Sequence, residues 1–125
     1  MLFPTEAEVF AMQDEIIDRH GGEHGVLTRG AVRSALERAR WGPFPCGDSL
    51  AARAAFILRG IAQDHPFADG NKRTALAVTL AFLEWNGASF AGRQDTLSEF
   101  VLEIAEGRYG YEGIVSCVET RLTKA

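Results

Sequence analysis

Hydrophobic residues recur at helical spacing over most of the chain, and capping residues or helix breakers separate the runs. In the first run, Thr5 and Glu8 form a capping box ahead of apolar residues spaced three and four apart, and a Gly-Gly pair ends the run. Thr28 can cap a second amphipathic run that extends to about Trp41. The pattern therefore predicts two amphipathic helices joined by a glycine-rich turn.

The middle of the chain predicts a loop followed by two largely buried helices. The segment "WGPFPCGD", residues 41–48, holds two Pro and two Gly and cannot form a regular element. Asp48 or Ser49 can cap a third helix, and a fourth, from about Asn71 to Trp85, has an interior free of charge. Because a helix that is apolar on all faces belongs at the centre of a bundle, we expect this fourth helix to be central.

Two further helices are predicted in the last third of the chain. A short extended piece, "ASFAG", precedes Thr96, which forms a capping box with Glu99, and a last helix spans about Tyr111 to Leu122. Repeats and linkers are absent from the sequence, and the strand signal is limited to a few residues. The predicted fold is all-α: a single compact domain, residues 1–125, with about six helices around a buried central helix.

Composition narrows the class of protein. The 125 residues are 46% hydrophobic and 24% charged, which is ordinary for one globular domain. A net charge of −4 argues against a polyanion as ligand, so no direct nucleic-acid partner is expected. The longest apolar run, Ala75 to Leu83, is too short for a membrane span. Cys46 and Cys117 lie outside any CxxC motif or Cys/His cluster, so we expect free thiols in a cytoplasmic protein.

The stretch "HPFADGNKRTA", residues 65–75, places Lys72 and Arg73 at the predicted start of the fourth helix, where the helix dipole disfavours cations. Asn71 is the predicted N-cap, and Gly70 permits a tight backbone before it. The free amides at such a helix start favour an anion. A multiply charged anion such as a nucleotide phosphate would offset the repulsion between the two cations.

The remaining residues of this stretch predict the chemistry. A carboxylate at Asp69 beside a phosphate requires a divalent cation between them, and Mg²⁺ suits one carboxylate plus phosphate oxygens. His65 can act as general base towards a substrate hydroxyl. Pro66 disfavours helical geometry at His65, so the third helix should end near Asp64. With Phe67 pointing inward as an anchor, these parts predict a phosphoryl- or nucleotidyl-transfer site.

The same stretch resembles the signature of the Fic/Doc family, H-x-F-x-[DN]-[AG]-N-K-R in its Doc (death-on-curing) branch. "HGGEHGVLTRGAVRSALERAR" resembles the Gly-Gly turn and second helix of the family, and "LAFLEWNG" resembles the continuation of its central helix. The resemblance implies a Fic/Doc-like fold. For the Doc branch it also implies a toxin of a type II toxin–antitoxin system, a protein kinase that uses ATP and Mg²⁺. The implied target is a Thr or Ser hydroxyl of a translation factor, elongation factor Tu, whose modification would stop translation.

Roles for individual residues also follow from the resemblance. His65 would be the catalytic base, Asp69 the Mg²⁺ ligand and Phe67 the structural anchor of the motif. Phosphate binding would fall to the four residues that follow the aspartate: Gly70, Asn71, Lys72 and Arg73.

Two departures bear on which group is transferred. The pattern of AMP-transferring Fic enzymes is H-P-F-x-[DE]-G-N-G-R-x-x-R, and here Lys72 replaces a Gly and Leu76 replaces the second Arg. Both favour the Doc-like kinase, with an AMP-transferase as the alternative. A catalytically inactive helical domain that binds phosphate or protein is a further alternative. The inhibitory motif of the family, [ST]-x-x-x-E-[GN], does not occur in the sequence, which implies restraint by a separate Phd-type antitoxin.

We expect structural rather than catalytic roles for the charged and aromatic residues outside the motif. His20 and His24 flank the Gly-Gly turn and are expected to be solvated rather than metal ligands. Arg53 and Arg59 could reach the phosphate site, but we expect them to form ion pairs with acidic residues such as Glu37 or Glu84. The loop after the second helix is either a target-positioning flap or a plain connector. Three aromatic residues near helix ends could line a nucleotide or target pocket, but we expect them to be in the core: Trp41, Phe44 and Trp85.

Overall fold

The computed structural model describes residues 1–124, and the side chains of residues 1–123, as a helical fold with one small sheet. The elements follow in chain order: α1 (Glu6–His20), α2 (Arg29–Trp41), α3 (Leu50–Asp64), α4 (Asn71–Trp85), β1 (Ala88–Phe90), α5 (Gln94–Ala105), α6 (Tyr111–Arg121) and β2 (Leu122–Lys124). The two strands pair antiparallel, with Ser89 opposite Thr123. The predicted all-α class with six helices is confirmed for the described residues.

Helix starts follow the capping signals at α1 and α3. The Thr5 hydroxyl accepts a hydrogen bond from the Glu8 amide at 3.1 Å, and the Glu8 carboxylate accepts one from the Thr5 amide at 2.9 Å. Ser49 caps α3 by accepting from the Ala52 amide at 3.1 Å. Thr28 occupies the N-cap of α2, although its side chain makes no capping hydrogen bond. Local chemistry thus sets the ends of these helices.

The predicted capping box at Thr96 is wrong. Helix α5 begins two residues earlier, at Gln94, with Arg93 as its N-cap. The carboxylate of Asp95 lies in the first turn and accepts a hydrogen bond from the Thr96 amide at 2.9 Å, so it satisfies an amide that the helix start leaves free. The chain therefore enters the helix soon after β1, before the box can act as its start.

The core centres on α3, which packs against α2, α4, α5 and α6. Helix α4, predicted as the central helix, lies beside it and also contacts α1, α5 and β1. One face of α4 is only half-buried, at Ala77 and Leu80, because that face borders a groove between α1 and α5. The sequence pattern could not distinguish a helix enclosed by protein from one that borders a cavity.

Arg53 does not form the predicted ion pair. Its guanidinium donates to the carbonyl oxygens of Ala39 and Arg40 at 3.0 and 2.9 Å and lies 4.5 Å from the centroid of the Phe44 ring. Arg53 therefore satisfies carbonyl groups that the C-terminal end of α2 leaves free, and it holds the loop after α2 against that end.

The expectation that three aromatic residues are in the core is wrong for two of them. Trp41 is 75% exposed and Trp85 is 37% exposed, whereas Phe44 is half-buried and packs against the core. Both tryptophans are the last residues of their helices, where the core no longer covers the side chain. The two cysteines, Cys46 and Cys117, are free thiols, as expected.

Across the described residues, no helix combines the length and apolar character that crossing a membrane requires.

Candidate active site

The loop between α3 and α4, residues 65–70, is tied to the turn that follows α1. The carbonyl of Pro66 accepts a hydrogen bond from the Leu27 amide at 2.7 Å, and the Ala68 amide donates to the Gly25 carbonyl at 3.0 Å. These backbone bonds fix the loop against the turn.

Phe67 anchors the loop by packing its side chain into the core. Its side chain is 1% exposed and meets the Phe10 ring edge-on, with the centroids 6.2 Å apart. Asn71 closes the loop from the other side, because its Oδ1 accepts from the Phe67 amide at 2.9 Å and its Nδ2 donates to the Phe67 carbonyl at 3.0 Å. The inward orientation predicted for Phe67 is confirmed.

The prediction that Asn71 caps α4 is wrong. Gly70 is the N-cap, and Asn71 is the first residue of the helix. Gly70 adopts a φ of 73°, in the left-handed region that a residue without Cβ enters freely, so the chain turns into the helix one residue early. The Asn71 side chain is engaged with the loop, and the groups left for an anion are the backbone amides at the start of α4.

Asp69 is fixed by three hydrogen bonds from outside and within the loop. Its Oδ2 accepts from the Glu23 amide at 3.3 Å, and its Oδ1 accepts from the Gly70 amide at 3.1 Å. Its backbone carbonyl accepts from the side-chain amide of Gln13 at 3.1 Å. Gly22 approaches this carboxylate so closely that a Cβ on it would lie 2.7 Å from Oδ2. The carboxylate is therefore preorganised.

Gln13 is a site residue that sequence reasoning missed. It is 1% exposed and occupies the buried face of α1 between Val9 and Ile17. The sequence did contain a signal for this residue: Gln13 is polar at a position where helical spacing predicts an apolar side chain. A buried amide requires hydrogen-bond partners.

A cavity of about 890 Å³ brings most of the predicted residues together. It is lined by the segment from Asp69 to Arg73, by the end of α1 and by α5. Lys72 and Arg73 are exposed, and within the described part of the chain neither forms an ion pair with an acidic side chain. Two adjacent cations thus stand at a helix start without a protein counter-charge, an arrangement that favours a bound anion.

Both departures from the AMP-transferring pattern line this cavity. Lys72 is an exposed cation, whereas Leu76 is 6% exposed and adds an apolar surface where that pattern has an arginine. The cavity is therefore basic at the start of α4 and apolar farther along the helix.

His65 lies outside the set that lines the cavity. It is the C-cap of α3, is exposed, and has φ 47° and ψ 58°. It is the one non-glycine residue with positive φ in residues 1–124. That conformation is unfavourable by about 1–2 kcal/mol for an L-residue, and such strain concentrates at functional sites. The loop thus presents the imidazole to solvent in a conformation that needs support from the surrounding structure.

The donor set at Asp69 fits a metal only in part. In the described residues, no group of three or more His, Cys, Asp or Glu side chains is arranged to hold a metal ion. Each oxygen of Asp69 accepts one backbone amide and keeps a further lone pair. A single fixed carboxylate fits Mg²⁺ shared with phosphate oxygens, but not a metal held by protein ligands alone.

The two histidines beside the Gly-Gly turn are exposed, as expected. The ring of His24 lies between two carboxylates of α1, with Nδ1 3.1 Å from Asp14 Oδ1 and Nε2 3.0 Å from Asp18 Oδ1. The hydrogen bond to Asp14 raises the pKa of His24. His20 lines the cavity at the end of α1.

Comparison with known proteins identifies the class. The family model described as Fic/DOC family matches residues 3–83, which run from before α1 almost to the end of α4. The chain therefore belongs to the Fic/Doc family, and the match includes the whole loop between α3 and α4.

Two relatives lie in the Doc branch by name. The chain is 35% identical over 82 residues to Protein kinase doc of Escherichia phage P1, covering 64% of this chain and 64% of that protein. It is 35% identical over 77 residues to Toxin Doc of Mycolicibacterium smegmatis, covering 60% of this chain and 59% of that protein. The chain thus spans a little under two thirds of the length of these relatives.

Proposed function

We propose that this chain is the toxin of a type II toxin–antitoxin pair, a Doc-like protein kinase that transfers the γ-phosphoryl group of ATP to a protein hydroxyl. The observation that carries the proposal is the shared cavity of one preorganised carboxylate, Asp69, and two cations, Lys72 and Arg73, that form no ion pair within residues 1–123. The two relatives, Protein kinase doc and Toxin Doc, support the same function by their names.

The start of α4 would bind the phosphates of ATP. The first hydrogen bond of the helix runs from the Thr74 amide to the Gly70 carbonyl at 2.9 Å, so the amides of residues 71–73 precede it and lack a helical partner. The side chains of Lys72 and Arg73 would add a point charge and a planar fork for phosphate oxygens. Asp69 would hold Mg²⁺, which, when bound, neutralises charge on those oxygens.

His65 would act as the general base. Its exposed imidazole would take the proton of the substrate hydroxyl as that oxygen forms its bond to the γ-phosphorus. The bond from this phosphorus to the β–γ bridging oxygen breaks in the same reaction, so the products are a phosphorylated hydroxyl, ADP and a protonated imidazole. The target implied by the resemblance is a Thr or Ser of elongation factor Tu, and its modification would stop translation.

The groove beyond the phosphate site would receive the antitoxin, a Phd-type chain. The cavity continues from the start of α4 between α1 and α5, and an amphipathic helix can dock into an apolar groove of this kind. An inhibitory helix seated there would also cover the ATP site, which fits the absence of the inhibitory motif from the chain itself. The groove is lined by apolar residues of three helices: Ile16, Leu76, Ala77, Leu80, Val101 and Leu102.

Growth arrest tests the proposal. Wild-type protein and the variants His65→Ala and His24→Ala would be expressed from an inducible promoter in a bacterial host. We expect arrest by wild type and by His24→Ala, a matched change at another exposed histidine, and normal growth with His65→Ala. Arrest that persists in His65→Ala would favour a catalytically inactive binding domain instead.

Mass spectrometry identifies the group that is transferred. Purified elongation factor Tu would be incubated with the protein, ATP and Mg²⁺, and its intact mass would then be measured. A gain of one phosphoryl group supports the kinase, whereas a gain of an adenylyl group would establish the AMP-transferase alternative. An unchanged mass for this factor, together with arrest that depends on His65, would exclude it as the target.

A further inference from the structure

A second, smaller cavity of about 190 Å³ lies between α2 and α3. The two helices approach closely beside it, because a Cβ on Gly60 would lie 2.6 Å from the Cβ of Ala35. Both residues line the cavity, and so do five polar side chains: Ser34, Arg38, Arg59, Gln63 and Asp64. We call this cavity the α2–α3 cleft. None of its residues lines the larger cavity at the start of α4, where we propose that ATP binds and which we call the ATP cavity.

Two guanidinium groups in the α2–α3 cleft are held in place by neutral partners. Arg38 lies 5.1 Å from the centroid of the Phe56 ring, which itself stacks on Tyr111 with centroids 4.3 Å apart. The Nε of Arg59 donates to the side-chain oxygen of Gln63 at 3.2 Å. Gln63 in turn donates to a backbone carbonyl of α5 at 3.0 Å. Both arginines are thus oriented before any ligand arrives, which lowers the entropic cost of binding.

The charge of the α2–α3 cleft is not balanced by ion pairs. The predicted pairing of Arg59 with an acid is wrong, and in the described part of the chain neither Arg38 nor Arg59 forms a salt bridge. Residues 29–64 carry six arginines and three acidic residues, in a chain whose net charge is −4. The segment that forms the α2–α3 cleft is therefore basic within an acidic protein, and the two arginines in the cleft favour an anionic partner.

We infer that the α2–α3 cleft binds the side-chain carboxylate of an acidic residue in the protein substrate. Two guanidinium groups suit a carboxylate, whose oxygens accept their planar donors. Asp64, the carboxylate in the lining, leaves the cleft with a small excess of positive charge, which favours a monoanion over a dianionic phosphate. A nucleic acid is disfavoured because the cavity accommodates one anionic group rather than a row of phosphates.

The location gives the cleft a role in substrate selection, an inference that rests on the proposed function. Asp64 lines the cleft and directly precedes His65, at the start of the loop between α3 and α4. Asp69, near the end of the same loop, lines the ATP cavity. A substrate segment held by Arg38 and Arg59 would therefore place a hydroxyl-bearing neighbour near His65, while ATP occupies a separate cavity.

Binding by the cleft can be measured without catalysis. Wild-type protein would be titrated with N-acetylglutamate amide, and with N-acetylglutamine amide as neutral match, while the Nε–Hε signals of Arg38 and Arg59 are followed by NMR. We expect saturable shifts of both signals with the glutamate probe and none with the glutamine probe. No shift of either signal, or a shift confined to the Nε–Hε signal of Arg73, would overturn the inference.

Variants of α2 and α3 make the test specific. The double variant Arg38→Gln/Arg59→Gln should weaken binding of the glutamate probe about tenfold or more, followed at the Gly60 amide. Arg29→Gln/Arg40→Gln makes the same change of charge at two arginines of α2 that contact Phe10 and Phe3 and do not line the cleft, so it should leave binding unchanged. Arg38→Lys/Arg59→Lys keeps the charge and controls for folding. Equal weakening by both glutamine pairs, or tighter binding of phosphoserine or of single-stranded DNA, would overturn the inference.

A library of Thr-centred peptides then separates the cleft from the kinase. With ATP and Mg²⁺, wild type should prefer peptides with acidic residues near the Thr, and Arg38→Gln/Arg59→Gln should raise KM for them while kcat stays constant. If the protein phosphorylates peptides without preferring acidic residues, the inference about the cleft is wrong and the proposed kinase activity stands. Failure to modify any peptide, with saturable carboxylate binding intact, would refute the kinase and leave the cleft as a carboxylate site.

Discussion

The side-chain amide of Gln13 donates a hydrogen bond to the backbone carbonyl of Asp69 at 3.1 Å and so joins residues 56 positions apart in the chain. The backbone of the proposed metal ligand is thereby fixed from α1, while its carboxylate is fixed by the Glu23 amide in the following turn. Loop geometry at the candidate site thus depends on residues outside the motif that predicted it.

Replacing Gln13 with Leu should therefore destabilise the protein and impair the site. The change removes the donor of a part-buried hydrogen bond and leaves the Asp69 carbonyl without this partner, which costs about 1–3 kcal/mol. Urea denaturation would measure the loss, and growth arrest would report on function. Glu15→Gln, on the exposed side of the same helix, is the matched control and should change neither. Wild-type stability in Gln13→Leu would show that this hydrogen bond does not hold the loop.

Adjacent glycines allow a second test of how Asp69 is positioned. Gly21 and Gly22 have φ values of 83° and 117°, so an alanine at either position is strained. A Cβ at Gly22 would meet the Asp69 carboxylate at 2.7 Å, whereas a Cβ at Gly21 would have no heavy atom within 4 Å. We expect both alanine variants to lose stability, but only Gly22→Ala to weaken binding of ATP with Mg²⁺ in calorimetry. Equal affinities would mean that the close approach does not control the carboxylate.

Local signals in the sequence predict most of the fold. The capping box at Thr5, the cap at Ser49 and the Pro66 that ends α3 place helix ends correctly because each acts through neighbouring residues. The predicted span of α4, Asn71 to Trp85, is the observed one. The motif likewise brings Asp69 to Arg73 to one cavity because they are consecutive in the chain.

What the sequence does not predict is which partner a polar side chain binds, even when that partner is only four residues away. The amide of Asn71 serves the backbone of Phe67 rather than the helix start, because Gly70 takes the N-cap. Arg59 bonds to Gln63 instead of an acid. The pattern of residue types shows that these side chains need partners, but which partner lies within reach depends on how the helices pack.

Substitutions at the neighbouring residues Asn71 and Lys72 should have different effects, one on stability and the other on ligand binding. Asn71→Ala removes two hydrogen bonds to Phe67 and should cost about 2 kcal/mol, measured by urea denaturation. Lys72→Ala removes a cation from the start of α4, so stability should stay constant or rise by about 0.3–1 kcal/mol. Only Lys72→Ala should weaken ATP binding directly, and the affinity of this variant should depend less on salt than that of wild type. Calorimetry at two NaCl concentrations measures both effects. Unchanged ATP affinity in Lys72→Ala would contradict the phosphate assignment.

His24 should make folding stability depend on pH near neutrality. The hydrogen bond to Asp14 raises the pKa of His24 in the folded protein above its ordinary value, with the charge of Asp18 acting in the same direction. The folded state therefore holds this proton more tightly than the unfolded chain does, and the stabilisation is complete below a pH of about 6.5. It is lost as the pH rises through the folded-state pKa.

Denaturation of wild type and His24→Gln at several pH values between about 5 and 8 tests this direction, because histidine ordinarily titrates within that range. The stability difference between the two proteins should be largest at the acidic end and should shrink as the pH rises. His20→Gln, which changes an exposed histidine without a carboxylate partner in the described residues, should show a smaller dependence. A difference that grows with pH would show that the ring is bound to these carboxylates in its neutral form.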